Sequence, residues 1–353
     1  MNDIIYVIKL WSNVLLDDNW IDDEVIRNVV FWVNYLKTKW IKVIIVSSGA
    51  VALWRKKIWK NAIKWLNNIE SEQIFSSLWQ HSLINKYQDY FDKYEIKVSQ
   101  ALLTRKDFSD RERYNSMKRV LLTSLNQWIV PIINENDVLS QEELDFSDND
   151  ELSALISAMV WSNKLIILSN IDWLYDSFPS WNLLKEINNI DEDIFLMVSK
   201  NKSTFWKWWM ESKLKTAKLV MDLWINMYLA NGKINWNIER IWNNKNPWTL
   251  FRSLWEKKVA SIRKWLKAWA VPKWKILVST IISDLLKSWK RASLLNIWVE
   301  KIEKEFTKWD VVNVCDEFWI SIWYWISKVW SDGINKNTNN TIIIIHTDYF
   351  INI

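Results

Sequence analysis

Apolar residues recur along the first two thirds of the chain in two alternating patterns. Short apolar runs at 4 to 10, 41 to 47, 96 to 103, 129 to 134, 164 to 169 and 225 to 230 predict strands. Between them, 22 to 39, 71 to 94, 110 to 126, 149 to 160 and 211 to 223 read as helices. In the clearest of these, Ile26, Val29, Val30, Val33 and Leu36 share one face, and Asp22 and Asp23 suit the positive N-terminal end. Such alternation predicts an α/β fold, an open and mainly parallel sheet between helix layers. Ligands of such sheets sit at the carboxyl ends of the strands. Beyond residue 258 the pattern changes. A basic segment, Arg263-Lys264-Trp265-Leu266-Lys267 followed by Val271-Pro272, reads as a linker over 259–272. Short strands at 275 to 278, 310 to 314, 319 to 323 and 341 to 346, with one helix near 279 to 288, predict a small β-rich domain over 273–353. The α/β domain is expected over 1–258.

Composition changes this picture at one point. The chain of 353 residues holds 30 tryptophans and 3 glycines, whereas the usual share of roughly 7% would make about 25 glycines. The indoles also stand where glycine is expected. Trp40, Trp128 and Trp224 each follow a predicted helix and precede a strand, the position where a left-handed residue turns the chain. The plainer alternative is a Trp-rich protein whose indoles cap a core, or whose surface aromatics bind carbohydrate or nucleic acid. Against it, the residues gather at turns rather than on apolar faces, as in Trp208-Trp209 and Trp323-Tyr324-Trp325. The pattern is that of glycine codons, UGA, written as tryptophan under another code. Trp265 stands in a helical context and reads as genuine.

Charge and cysteine exclude rather than assign. A net charge of +5 is too small for this length to argue for nucleic acid. The single cysteine, Cys315, excludes an intrachain disulfide framework, reads as a small buried hydrophobe and suits a reducing cytoplasm. No basic segment precedes the first strand and no apolar run is long enough for a membrane span, so neither a signal peptide nor a membrane is expected. His81 and His346 are too few to build a metal cage, so no protein metal site is expected. No nucleophile elbow supports a hydrolytic triad.

Five segments carry candidate chemistry. Lys9-Leu10-Trp11-Ser12 places a lysine at the end of the first strand, where it can neutralise phosphate if position 11 is a small turn residue. The alternative is a solvated lysine after an edge strand. Val46-Ser47-Ser48-Gly49-Ala50 opens a helix whose free N–H groups suit an anion, or else simply supplies a serine N-cap. Asn134-Glu135-Asn136-Asp137 and Ser147-Asp148-Asn149-Asp150 set amides and carboxylates at neighbouring strand ends, more than capping needs and apt for an amino group beside a carboxylate. Thr204-Phe205-Trp206-Lys207-Trp208-Trp209-Met210-Glu211-Ser212-Lys213, with glycine at the indoles, becomes a glycine-rich loop opening a helix, where backbone N–H groups meet phosphates. As written, three indoles would block that approach. The charge run from Thr104 to Arg113 reads as a solvated loop beside the site, with a regulatory or subunit-contact role as the alternative.

Taken together and in order, these segments, with Asp172-Trp173-Leu174-Tyr175, resemble the amino acid kinase family over nearly the whole chain, with tryptophan where the family has glycine. The part from about Lys273 resembles the PUA domain. The resemblance is to the branch of the family that phosphorylates the side-chain carboxylate of L-glutamate with ATP, the first step toward proline. It implies that Lys9 and Lys213 flank the transferring group and that Asp150 holds them. It implies further that Ser48, Asp137 and Asn149 bind glutamate, with Asp137 on the α-ammonium. Lys9, Ser169, Asn170 and the stretch Lys207, Trp208, Trp209, Met210, Glu211, Ser212 and Lys213 fall on its nucleotide-binding positions. Mg²⁺ would arrive with ATP, keeping water and phosphate oxygens as ligands. Asn170 departs from the aspartate common in the family. A cytoplasmic homo-oligomer inhibited by proline is the family pattern. Two rivals remain at this point: a sister kinase acting on N-acetylglutamate, aspartate or a nucleotide, and an RNA-binding protein acting through the PUA-like domain.

Overall fold

The computed structural model describes residues 3–15, 21–48, 68–139, 149–170, 184–191, 194, 204–235, 237–243, 245, 249–253, 274–288, 294–295, 298–302, 311–318, 321–326, 342–344 and 350–352. Gly49, Ala50, Asp148, the 172–175 segment, the 259–272 segment with Trp265, and His346 lie outside the described residues. The chain divides into two compact units, Met1–Glu256 and Lys257–Ile353.

In the first unit the chain order is β1 (Ile4–Leu10), α1 (Ser12–Leu15), α2 (Asp23–Thr38), β2 (Ile41–Ser47), α3 (Asn68–Phe91), β3 (Val98–Leu103), α4 (Arg105–Ser109), α5 (Arg111–Asn126) and β4 (Val130–Glu135). It continues with α6 (Asn149–Val160), β5 (Lys164–Ser169), β6 (Glu186–Ile187), α7 (Thr204–Asp222), β7 (Asn226–Asn231), α8 (Asn237–Trp242) and β8 (Thr249–Phe251). The strands form one sheet in the order β3-β4-β2-β1-β5-β7-β8-β6, parallel except where β8 runs against β7. β1 lies inside it, with Lys9 level with Val46 of β2 and with Ile167 of β5. Strands covered on both faces have no solvent side, so β1, β2 and β5 bury nearly every residue, Ile8, Ile45 and Ile167 completely. α2 turns Val25, Ile26, Val29, Val30, Trp32, Val33 and Leu36 to the core, and Asp22 caps it by accepting from the N–H groups of Glu24 and Val25.

Two features of this sheet were not expected from the sequence. β6 and β8 are too short for periodicity to show, and α7 begins at Thr204, seven residues ahead of the predicted helix start. The stretch from 204 to 210 is therefore helical backbone rather than a loop before a helix. As written it contains no glycine to break the helix, which explains the extension.

The helix ends explain the tryptophans' placement. Five non-glycine residues among those described have positive φ, and four are tryptophans: Trp40 (59°), Trp128 (56°), Trp161 (58°) and Trp224 (61°). Each closes a helix, α2, α5, α6 and α7 in turn. At Trp128 and Trp224 both hydrogen bonds of a Schellman turn are present: Trp128 N–H to Leu125 O and Ile129 N–H to Ser124 O, and Trp224 N–H to Met221 O and Ile225 N–H to Val220 O. Ser162 N–H to Ser157 O places Trp161 in the same turn. Trp161 is the case that the apolar pattern did not flag.

In the second unit β9 (Trp274–Val278), α9 (Thr280–Ser288), β10 (Leu294–Leu295), β11 (Val299–Ile302), β12 (Val311–Cys315), β13 (Ser321–Ile326), β14 (Ile342–Ile344) and β15 (Phe350–Asn352) follow one another. Five of these strands make a sheet in the order β11-β9-β12-β13-β15, and β10 pairs with β14. Ile276, Val278, Val299, Val312, Val314 and the free thiol of Cys315 are buried there.

Candidate active site

Three charged side chains meet at the carboxyl end of the central strands with almost no exposure: Lys9 (1%), Asp150 (0%) and Lys213 (0%). β1 carries Lys9, the first turn of α6 carries Asp150, and the middle of α7 carries Lys213. The Lys9 Nζ lies 2.6 Å from Asp150 Oδ1 and the Lys213 Nζ 2.5 Å from Oδ2, so one carboxylate spans two ammonium groups. Burial pushes the Asp150 carboxyl pKa upward, but the charges and hydrogen bonds of Lys213 and Lys9 outweigh it and hold it at about 2. The cluster is buried, paired and net positive, which is the charge that suits a phosphoryl group.

Trp11 fills the space beside this cluster. Its Nε1 donates to Asp150 Oδ1 at 2.9 Å, and its ring centroid lies 4.1 Å from Lys9 Nζ and 3.9 Å from Lys213 Nζ. An anion reaching both ammonium groups from that side must displace the ring. Behind it, the Trp11 carbonyl starts α1 by accepting from Val14 and Leu15 N–H. Gly232, just past β7, is fixed by space: a Cβ there would stand 2.6 Å from Val14 Cγ1 and 3.0 Å from Leu168 Cβ.

The residues predicted to bind glutamate fall on neighbouring strand ends. Ser48, past the end of β2, is buried, and its N–H donates to Leu10 O at 3.1 Å. Beneath it Ser47 Oγ and Tyr87 Oη of α3 share a buried hydrogen bond of 3.2 Å, and burial pushes the Tyr87 phenol pKa well up despite the opposing effect of Ser47. Asn149 Nδ2 donates to Asn134 Oδ1 at 3.1 Å, leaving Asn134 Nδ2 and Asn149 Oδ1 buried without protein partners. One donor and one acceptor are thus available side by side. Asp137, half-buried, accepts from Ser76 Oγ of α3 at 3.1 Å.

Of the predicted nucleotide positions, Ser169 is buried at the end of β5, where its carbonyl accepts from Gly232 N–H, and Asn170 is exposed in the bend that follows. Met210 is buried and Ser212 half-buried on α7, while the side chains of Lys207, Trp208, Trp209 and Glu211 lie outside the described set. The charge run 104–113 is not a solvated loop. Asp107 closes a capping box with Thr104 at the start of α4, Asp110 caps α5, and Arg105 pairs with Glu151, the residue after Asp150. Its acidic residues were legible as caps, but the pair with Glu151 is tertiary. Ser76 and Tyr87 were missed for the same reason. Among the described residues no group of three His, Cys, Asp or Glu side chains forms a metal cage. None of the described helices is long and apolar enough to cross a membrane.

A buried, net-positive cluster at the strand ends of a mainly parallel sheet suits a small-molecule kinase, and the chain belongs to the amino acid kinase family, whose model matches residues 5–231. Its relatives within that family include glutamate 5-kinases. That of Bacteroides thetaiotaomicron is 34% identical over 88% of this chain and 87% of its own length, and that of Pelagibacter ubique 33% identical over 89% and 85%. A glutamate 5-kinase of Prochlorococcus marinus, 29% identical, spans 97% of this chain and 98% of its own, so the similarity runs through the C-terminal unit.

Proposed function

We propose that this chain transfers the γ-phosphoryl group of ATP to the side-chain carboxylate of L-glutamate, giving L-glutamyl 5-phosphate for proline synthesis. The observation that carries the reading is the buried Lys9–Asp150–Lys213 cluster. A carboxylate oxygen attacks the γ-phosphorus while the bond to the ADP oxygen breaks, and no proton needs to move. The difficulty is that two anions must meet, so the protein's part is positioning and charge neutralisation. Lys9 and Lys213 supply two ammonium groups. Asp150 holds one on each oxygen, which keeps both lysines aimed and charged at the transferring group. Ser48 and the Asn134–Asn149 amide pair offer hydrogen bonds to glutamate, and Asp137 suits its α-ammonium. Ser169, Asn170 and the 207–213 stretch are the proposed nucleotide-binding positions. Mg²⁺ would travel on the phosphate oxygens with its waters. Asp150 is committed to the two lysines, so the ion would be held by phosphate oxygens and water, where it would supply further charge neutralisation.

The same reading requires glycine at several tryptophans, and the four left-handed helix ends and the Trp11 ring beside the lysines support that substitution. A protein carrying tryptophan at 11, 208 and 209 should neither bind nor turn over ATP. Synthesis with glycine at the suspect positions should give L-glutamate-dependent ADP release, with an acyl phosphate trapped as the hydroxamate by hydroxylamine. Trapping with N-acetylglutamate or aspartate alone, or phosphorylation of a nucleotide instead, would move the chain to a sister activity. Mass spectrometry of the native peptide from Trp206 to Met210 decides the letters themselves. Intact indoles there refute the glycine reading. The 273–353 segment is proposed as a PUA-like domain with a structural or regulatory part, in a cytoplasmic homo-oligomer inhibited by proline. RNA retention that disappears on deleting it would favour the RNA-binding alternative.

A further inference from the structure

We propose that α3 positions the amino-acid end of the substrate site, with Ser76 orienting Asp137 and Tyr87 orienting the Ser47-Ser48 turn. The inference rests on the glutamate reading above and extends it to a helix outside the strand ends. α3 packs through Phe75, Trp79, Leu83, Tyr87 and Phe91, one residue per turn, all buried. Two polar breaks in its buried surface point at the site. Ser76 is 1% exposed. Its one proton goes to Asp137 Oδ2 at 3.1 Å. A second break is the Tyr87 hydroxyl, buried against Ser47 Oγ, one residue before Ser48. One turn beyond Ser76, Gln80 Oε1 accepts from Gln100 Nε2 of β3 at 3.3 Å, tying the same helix to the neighbouring strand. Buried hydroxyls cost free energy unless bonded. Here both are bonded to groups that stand beside substrate-binding positions. Holding one carboxylate oxygen fixes the plane of Asp137, and so the direction from which an ammonium group meets it.

A positioning role separates from a structural one by which kinetic constant moves. In the background that turns over L-glutamate, S76A should raise KM for glutamate about 5- to 20-fold, with kcat and KM for ATP within about two-fold of the parent. S76T, which keeps the hydroxyl, should restore the parent KM, and Y87F should raise KM for glutamate in the same direction. Glutarate lacks the α-ammonium, so its inhibition constant should be the same in S76A and the parent. An unchanged KM for glutamate in S76A, an equal rise in KM for ATP, or weakened glutarate binding overturns the inference. A parent protein inactive on glutamate overturns the underlying reading instead, which distinguishes the two failures. If S76A folds poorly, the S76T and Y87F pair still decides the matter.

Discussion

At the scale of single residues, Asp150 carries the largest consequence. A carboxylate serving two buried ammonium groups withdraws its charge from both when it is neutralised, and breaking a buried pair costs about 3–5 kcal/mol. D150N is therefore expected to lose stability by that order at neutral pH, read from denaturant midpoints, and, in the glycine-substituted background, to lose glutamate-dependent turnover. The sign of the pH dependence follows from the pKa of about 2 against an ordinary 3.8. A depressed carboxyl contributes stability fully above about pH 4 and loses it as pH falls through about 2. The gap between parent and D150N should accordingly close on acidification, and a gap that widens there would refute the assignment. At the helix ends the expected effect has the opposite direction. A β-carbon in the left-handed region costs roughly 1–2 kcal/mol, and Trp40 is 77% exposed, so its ring gives little back. W40G and W161G should each raise stability by about 1 kcal/mol, visible as a rise of about 2–4 °C in Tm.

At the scale of elements, the turn after β7 and the short helix after β1 depend on each other. G232A sets a methyl group against Val14, which should cost about 1–3 kcal/mol through overpacking. The double variant G232A/V14A should recover more than the sum of the two single effects predicts, as a denaturation double-mutant cycle would show. α2, α6, β1, β2 and β5 were legible to within a residue because each combines strong periodicity or a continuous apolar run with capping residues such as Asp22. β6 and β8 were not, since two or three residues carry no period. α7 was misread at its start because the expected glycines are absent from the letters that fold. The lysines and Asp150 could be picked out because charged residues at strand ends and helix starts are conspicuous. Ser76 and Tyr87 left no such mark, because their contacts come from residues 61 and 40 positions away.

At the scale of the whole molecule, residues 1–256 contain every strand of the eight-stranded sheet and the whole lysine–aspartate cluster. With glycine at the suspect tryptophans, a chain ending at residue 256 is expected to keep glutamate-dependent ADP release within a few-fold of the full-length protein of the same background. Matching Tm values with lost turnover would instead give that unit a direct part in catalysis. The strand order has a consequence for synthesis on the ribosome. β1 emerges first, yet one of its two neighbours is β5, and β7, the strand that follows Lys213, pairs beyond it. The nascent chain must hold its most apolar strand half-partnered for well over a hundred residues, a topology that folds slowly and stays sticky meanwhile. Lys9 acquires its carboxylate only when α6 arrives and its companion lysine only with α7. A product stalled before α7 is thus a liability for aggregation but not a partial kinase, since the three charges that make the chemistry come from β1, α6 and α7 and meet only when the last of these has been made.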